Sequence, residues 1–277
     1  MFDGFASQMG VSNNHLTFKL LEDVMLLPPN RYEPLVNSAQ LLRIGPMVEY
    51  AYHHYEDAAR HFRPSCDLGR YFQTSFQAIK HNEVRRDATV TAKRVEFFRP
   101  PEAIENAEDE NWMRFCRRLE DAALKAGLPK EFAYALAGTF GEMTSNLIEH
   151  SEKSSTGLVG YRWERGEFEY VVADSGIGVL ESLRSHPDFA WIADSGEALE
   201  QAACDGVSRF GRASHRGTGF HDLLINIAHR NSYLRLRSGD HVYIIDGIHG
   251  FPKKLLRPCG QLPGLLISVV SHPFPSS

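Results

Sequence analysis

The stretch KEFAYALAGTFGEMTSNLIEH, residues 130–150, decides how the chain is read. Phe132, Leu136, Phe140, Met143 and Leu147 recur at steps of three and four. At 3.6 residues per turn that spacing makes one continuous apolar stripe along a helix. Glu142, Asn146 and His150 stand at i, i+4 and i+8, so they line up along one side, beside the stripe rather than inside it. Just upstream, Gly127 and Pro129 supply a stop and a restart. Before them, Trp112, Phe115, Cys116, Leu119, Ala122 and Ala123 mark one face of another helix. Downstream, TGLVGYRW (156–163) and EFEYVVAD (167–174) are strand-like runs around Glu164-Arg165-Gly166, the pattern of a hairpin.

Working outward, TVTAKRVEFF (89–98) alternates like a strand, within a strand candidate spanning 88–98, and Arg99-Pro100-Pro101 ends it. The acidic run 102–110 reads as a solvated loop or helix start. A loop-rich region covers 175–216, with one short helix near Gly196–Cys204 and Ser195 as its N-cap. Phe220, Leu223, Leu224 and Ile227 define a further amphipathic helix. YLRLR (233–237), HVYIID (241–246) and GLLISVV (264–270) read as three strands, the first two joined by Ser238-Gly239-Asp240. The N-terminal part, 1–86, reads as mainly helical, with Gly45-Pro46 interrupting the pattern between Leu35 and Phe62. The expected organisation is a helical N-terminal partner-binding module, 1–86, and an α+β domain, 87–277.

Bulk composition excludes several classes. Thirty Lys and Arg against 35 Asp and Glu give a net charge of −5, so nothing electrostatic indicates nucleic acid. The first residues lack a basic start followed by an apolar run, and no apolar stretch approaches membrane-spanning length. The expectation is a cytoplasmic protein with no membrane partner. Cys66, Cys116, Cys204 and Cys259 are isolated, which fits a reducing compartment and disfavours structural zinc. Thirteen histidines include no HExxH.

Three short motifs carry candidate chemistry. Glu142 and Asn146 could orient a water and coordinate a hard cation such as Mg²⁺, which takes oxygen ligands; the ordinary reading is a solvated helix face. Asp174-Ser175-Gly176-Ile177-Gly178 follows the apolar run Tyr170–Ala173. A carboxylate accepts hydrogen bonds, so Asp174 suits the exocyclic amine of a purine, and the glycines let backbone approach a ligand; the ordinary reading is a turn. Arg216-Gly217-Thr218-Gly219-Phe220 opens the 220–229 helix, where free N–H groups and the helix dipole favour an anion. Arg209, Arg212 and Arg216 could add contacts to phosphates; the ordinary reading is a surface loop. No GK[ST] follows, so this is not a P-loop, nor does it fit the dinucleotide fingerprint.

The order of these motifs resembles the N, G1 and G2 boxes of the GHKL ATPase superfamily, over roughly residues 88–272. Gly141-Glu142-Met143-Thr144-Ser145-Asn146-Leu147-Ile148-Glu149-His150 is most similar to the anti-sigma-factor serine kinase branch, close to the histidine-kinase-like ATPases. The resemblance implies a Bergerat-type two-layer α/β sandwich, a mixed sheet covered by helices on one face. It implies ATP and Mg²⁺ as cofactors. Glu142 would be the general base, Asn146 the Mg²⁺ ligand, and Asp174 the reader of the adenine amine. Gly176 and Gly178 would shape the base and ribose pocket, Gly217, Thr218 and Gly219 would wrap the phosphates, and about 180–216 would form a lid. The implied activity is that of an ATP-dependent serine/threonine-type protein kinase or ATPase acting with a regulatory protein partner. A homodimer is compatible with it, since related kinases commonly dimerise.

Where those kinases usually read G-x-G-L-G-L, this chain reads Gly217-Thr218-Gly219-Phe220-His221-Asp222, without the last glycine. That departure motivates an alternative, a nucleotide-sensing module that binds ATP or ADP with little turnover. A mechanical ATPase is disfavoured by the few residues after the last strand, and a self-phosphorylating histidine kinase by the lack of a phosphoacceptor box. An α+β protein with no nucleotide site is the remaining reading.

Overall fold

The computed structural model describes residues 16–26, 31, 33, 36–37, 43–58, 64, 66–81, 95–101, 109–203, 230–248 and 252–274. Among the described residues the N-terminal part holds α1 (Phe18–Met25), α2 (Ile44–His53) and α3 (Asp67–Lys80). They are followed by β1 (Val95–Phe98), α4 (Glu110–Lys125), α5 (Lys130–His150), β2 (Leu158–Glu164) and β3 (Glu167–Asp174). Two short helices, α6 (Gly178–Arg184) and α7 (Ser195–Ala202), precede the long strands β4 (Ser232–Asp246) and β5 (Lys253–Ser271).

The helix at 130–150 lies where its periodicity predicts, and its stripe is buried: Phe132, Leu136, Phe140, Met143 and Leu147 are all in the core. Each such side chain contributes roughly 1.5–3 kcal/mol, so this face alone fixes α5 against the sheet. Asp109 caps α4 by accepting the Trp112 N–H at 2.9 Å. β2 and β3 form the expected hairpin, with Glu164 opposite Glu167. Its turn docks on the end of α4, where the Gly166 N–H donates to the Ala126 carbonyl at 2.9 Å.

The fold is an α+β sandwich built on a five-stranded sheet of order β1-β2-β3-β5-β4. It departs from the expected sandwich in two ways. Every pair is antiparallel, not mixed. Helices cover both faces rather than one. Alternation along β3 sends Phe168, Tyr170 and Val172 toward α4 and α5, and Val171 and Ala173 toward the N-terminal helices. Both sets are apolar, so both faces require cover.

Other local expectations change as well. Gly45-Pro46 does not interrupt a helix; it lies in the first turn of α2. A proline there loses an N–H that would have no intrahelical partner anyway. Ser238-Gly239-Asp240 does not join two strands but forms an irregularity within the single strand β4. β5 extends to Lys253 and pairs with β4 through Pro258, on a ribbon that runs past the end of β3. The N-cap of α7 is Asp194, not Ser195: it accepts the Glu197 N–H at 2.9 Å. α6 arises inside a segment read as loop. Of the strand expected at 88–98, residues 95–98 form β1 and the rest lie outside the described residues. So does most of the 102–110 run, and so does the helix expected at 220–229. No helix among the described residues is long and apolar enough to cross a membrane.

Polar groups fasten the N-terminal helices to the second face. The Glu169 carboxylate of β3 accepts the Ile44 and Gly45 N–H groups at 3.0 and 2.8 Å, satisfying the start of α2. Arg235 and Arg237 of β4 are each 1% exposed, and Glu49 of α2 is 0% exposed. Glu49 receives two bonds from Arg235, at 2.8 and 2.9 Å, and one from Arg237 at 2.9 Å. Glu22 of α1 pairs with Arg235 at 2.7 Å and with Arg257. Burial alone would raise the Glu49 pKa, but the two guanidinium groups overrule it and hold the carboxyl below its usual range. Burial also pushes His53 down to about 4, so it sits beside this cluster uncharged.

Removing one partner of a buried ionic network leaves the others uncompensated, typically at a cost of about 3–5 kcal/mol. Glu49→Ala should therefore lower the unfolding free energy by about that amount in a urea titration. A loss below about 1 kcal/mol, the scale of an exposed pair, would show that the network contributes little.

Candidate functional site

α5 carries the first group of candidate residues on its C-terminal half. Glu142 is exposed, while Asn146 and His150 are half-buried, so the flank beside the apolar stripe faces outward as the spacing predicts. Thr144, next to them, turns inward and donates its hydroxyl to the Phe140 carbonyl at 2.9 Å. The helix ends at His150, and its cap residue Ser151 is buried.

The second group lies where β3 ends. Asp174 keeps the parity of Phe168, Tyr170 and Val172, on the side of the sheet that α5 covers. It is 2% exposed, and its Oδ1 accepts the Gly176 N–H at 2.7 Å. Burial pushes its carboxyl up to about 7, although the backbone N–H groups of Gly176 and Leu265 partly offset this. Two N–H donors do not exhaust a carboxylate, which offers about four lone-pair sites. Acceptor capacity therefore remains for a third donor.

Both glycines of the turn have a structural requirement. A Cβ at Gly176 would overlap the Ser151 carbonyl oxygen, because the turn packs directly on the end of α5. The same carbonyl accepts the Ile177 N–H at 3.0 Å. Gly178 has φ +77°, in the left-handed region that favours glycine. A Cβ there would also come within 2.7 Å of the Ser238 hydroxyl. The close neighbours that require glycine at both positions are protein backbone, the side chain of Asp174 and Ser238.

Asp174, Gly176 and Gly178 are thus brought together with the C-terminus of α5. At 1.5 Å rise per residue, Asn146 lies about 8 Å and Glu142 about 14 Å back along the helix from Ser151. Gly217, Thr218 and Gly219 lie outside the described residues, as do Arg209, Arg212 and Arg216. Of the segment read as a lid, residues 180–203 include most of α6, a 3-10 turn and all of α7. Leu183, Phe189, Ile192 and Ala198 form their own small core. Leu199 joins the main core, so α7 is packed against the sheet.

Sequence reading missed the groups that support the turn. The Ser175 N–H donates to Thr156 Oγ1 at 3.0 Å. Ser238 Oγ accepts the Val179 N–H at 2.9 Å and donates to the Gly264 carbonyl at 2.8 Å. Tyr52 of α2 shares its O–H between the Thr156 and Ala173 carbonyls, at 2.6 and 3.2 Å. These partners are 19 to 121 residues apart in sequence, and Ser and Thr carry no periodic signal.

No protein-family model matches the chain, and no curated protein matches it. Among the described residues, no cluster of three or more His, Cys, Asp or Glu side chains is arranged to hold a metal. Asn146 offers one hard oxygen, and a Mg²⁺ bound there would draw its other ligands from water and a ligand's phosphates.

Asp174 stays protonated up to about 7 when folded, whereas a free aspartate ionises near 3.9. Its contribution to stability is therefore complete at acid pH and is lost as pH rises through 7. Comparing wild type with Asp174→Asn cancels the other titrating groups. The stability difference should fall with rising pH between 4 and 7, by up to about 1.4 kcal/mol per pH unit. A difference that grows over that range would mean that Asp174 is held ionised.

Proposed function

We propose that the chain binds an adenine nucleotide with Mg²⁺, and that it acts as an ATP-dependent regulatory kinase or ATPase of the GHKL type. The observation that carries this reading is the buried Asp174 carboxyl at the end of an apolar strand. It has acceptor capacity to spare and lies on the face of the sheet covered by α5. Adenine offers it an exocyclic amine donor. A nucleotide with its base there and its phosphates directed along α5 would reach Asn146 first and Glu142 next. That order suits a cation ligand at Asn146, bridging phosphates, and a base at Glu142, orienting the attacking water or hydroxyl. Gly217, Thr218 and Gly219 would close over the phosphates from the far side. A regulatory protein would supply the phosphoacceptor, and a cytoplasmic setting fits the use of ATP.

A second reading, binding with little turnover, is favoured by the sequence Gly217-Thr218-Gly219-Phe220-His221-Asp222. Without the later glycine, and with Asp222 near the phosphates, the phosphate loop is less suited to holding the γ-phosphate.

Calorimetric titration of Mg-ATP, Mg-ADP and Mg-GTP tests the reading. At about pH 8, above the midpoint near 7 so that Asp174 is ionised, wild type should prefer the adenine nucleotides, and Asp174→Asn should lose that preference with about a tenfold or greater drop in ATP affinity, the scale of a charge-assisted bond. Undiminished adenine preference in Asp174→Asn would refute the pocket. Glu142→Gln separates the two uses. Turnover should fall by about 10²-fold or more if Glu142 is a general base, and should match wild type if the protein only senses nucleotide.

A further inference from the structure

We propose that Tyr52, on the N-terminal helix α2, is a positioning residue for Asp174, so that base recognition depends on how the N-terminal helices sit. This rests on the nucleotide reading given above, but its physical content is independent of any ligand.

Tyr52 is 1% exposed and reaches the turn from the face of the sheet opposite α5. Its single O–H is shared by two carbonyls from different segments, Thr156 just before β2 and Ala173 at the end of β3. Ala173 is the residue before Asp174. Thr156 is tied to the residue after it, since its Oγ1 accepts the Ser175 N–H. One phenol therefore holds both flanks of Asp174: directly through Ala173, and through Thr156 to Ser175. The bond network has no slack at the other end, because Thr156 Oγ1 also donates to the Lys153 carbonyl at 2.8 Å.

The ring is fixed as firmly as the hydroxyl. It packs on Tyr55 and on Phe76 of α3, with ring centroids 5.3 and 5.7 Å away. The backbone that bears it is fastened twice, by Glu169 at the start of α2 and by Glu49 three residues before Tyr52. Burial, then the charges of Tyr55 and Asp174, keep the phenol well above its usual pKa, so it remains a donor across the working range.

The test is Tyr52→Phe, which removes one oxygen and keeps the ring. Two measurements are made on the full chain: the pH titration of the Asp174 carboxyl carbon by NMR, and calorimetry with Mg-ATP and Mg-GTP. With the clamp gone, water should reach the carboxyl, and its midpoint should fall by at least one pH unit toward the ordinary aspartate value. ATP affinity should fall by about five- to tenfold, as for loss of one buried hydrogen bond, with a smaller change for GTP. Thr156→Val breaks the same support from its far end and should reproduce the midpoint shift, while Thr156→Ser should restore wild-type behaviour. If Tyr52→Phe does not fold, this pair tests the Thr156–Ser175 arm of the clamp, and an unchanged midpoint there overturns the proposal. An unchanged midpoint in Tyr52→Phe and Thr156→Val, with only a lowered melting temperature, would reduce Tyr52 to a packing residue and overturn the proposal. Wild type that binds no nucleotide would defeat the nucleotide reading alone, since the midpoint shift is read without ligand.

Discussion

Arg235 and Arg237 lie two residues apart on β4, so they point to the same face of the sheet, and both are buried there. Two guanidinium groups in an interior must be met by carboxylate, because an unpaired buried charge costs several kcal/mol, a large share of a domain's net stability. Glu49 meets both at once, and Glu22 lies against the same Nη2 of Arg235 that one of those bonds uses. The aromatic ring of Phe18 lies 4.5 Å from the Arg235 guanidinium and closes that side. An alternative position for α1 or α2 would strand these charges. The network therefore acts less as a source of net stability than as a specification of where the N-terminal helices belong.

From that constraint the rest of the second face follows. Glu49 fixes the middle of α2, and Glu169, held up to about 7 by burial, accepts the two N–H groups at its start. With both fixed, Tyr52 falls one turn further along, on the same side as Glu49. It arrives beneath the end of β3, where the chain leaves the sheet and turns back onto α5. The Asp174 turn is thus held between two layers: the Ser151 carbonyl from α5 on one side and the Tyr52 hydroxyl on the other. A strand end fixed in this way keeps a buried carboxyl in one orientation, which is what recognition of a single donor requires.

The parts of this structure legible in sequence are those with a strong period or a strong turn. The stripe of α5 and the β2–β3 hairpin each announce themselves within a dozen or so residues. So does the aspartate at a strand's end. Much of what escaped has one physical cause, partners that are far apart in sequence. Leu234-Arg235-Leu236-Arg237 alternates like a strand with one solvated face, and nothing in it shows that Glu49 waits nearly two hundred residues upstream. Pro258 and Gly260 stand where β5 has passed the end of β3 and pairs, among the described residues, with β4 alone, an edge position that accepts them. The sequence shows that glycine follows Asp174 twice, but not that Ser151 and Ser238 are the close neighbours that require it. Gly217, Thr218 and Gly219 stay a matter of sequence alone, and with them the resemblance to a complete phosphate-binding loop.

The central claim is that Asp174 marks the base end of a nucleotide pocket whose phosphate end lies along α5. A crystal structure of the chain with Mg²⁺ and a non-hydrolysable ATP analogue tests it most directly. The account predicts the adenine amine donating to the Asp174 carboxylate, with the cation on the Asn146 side chain. An analogue bound elsewhere, or bound here with its phosphates at Asp174, would contradict it.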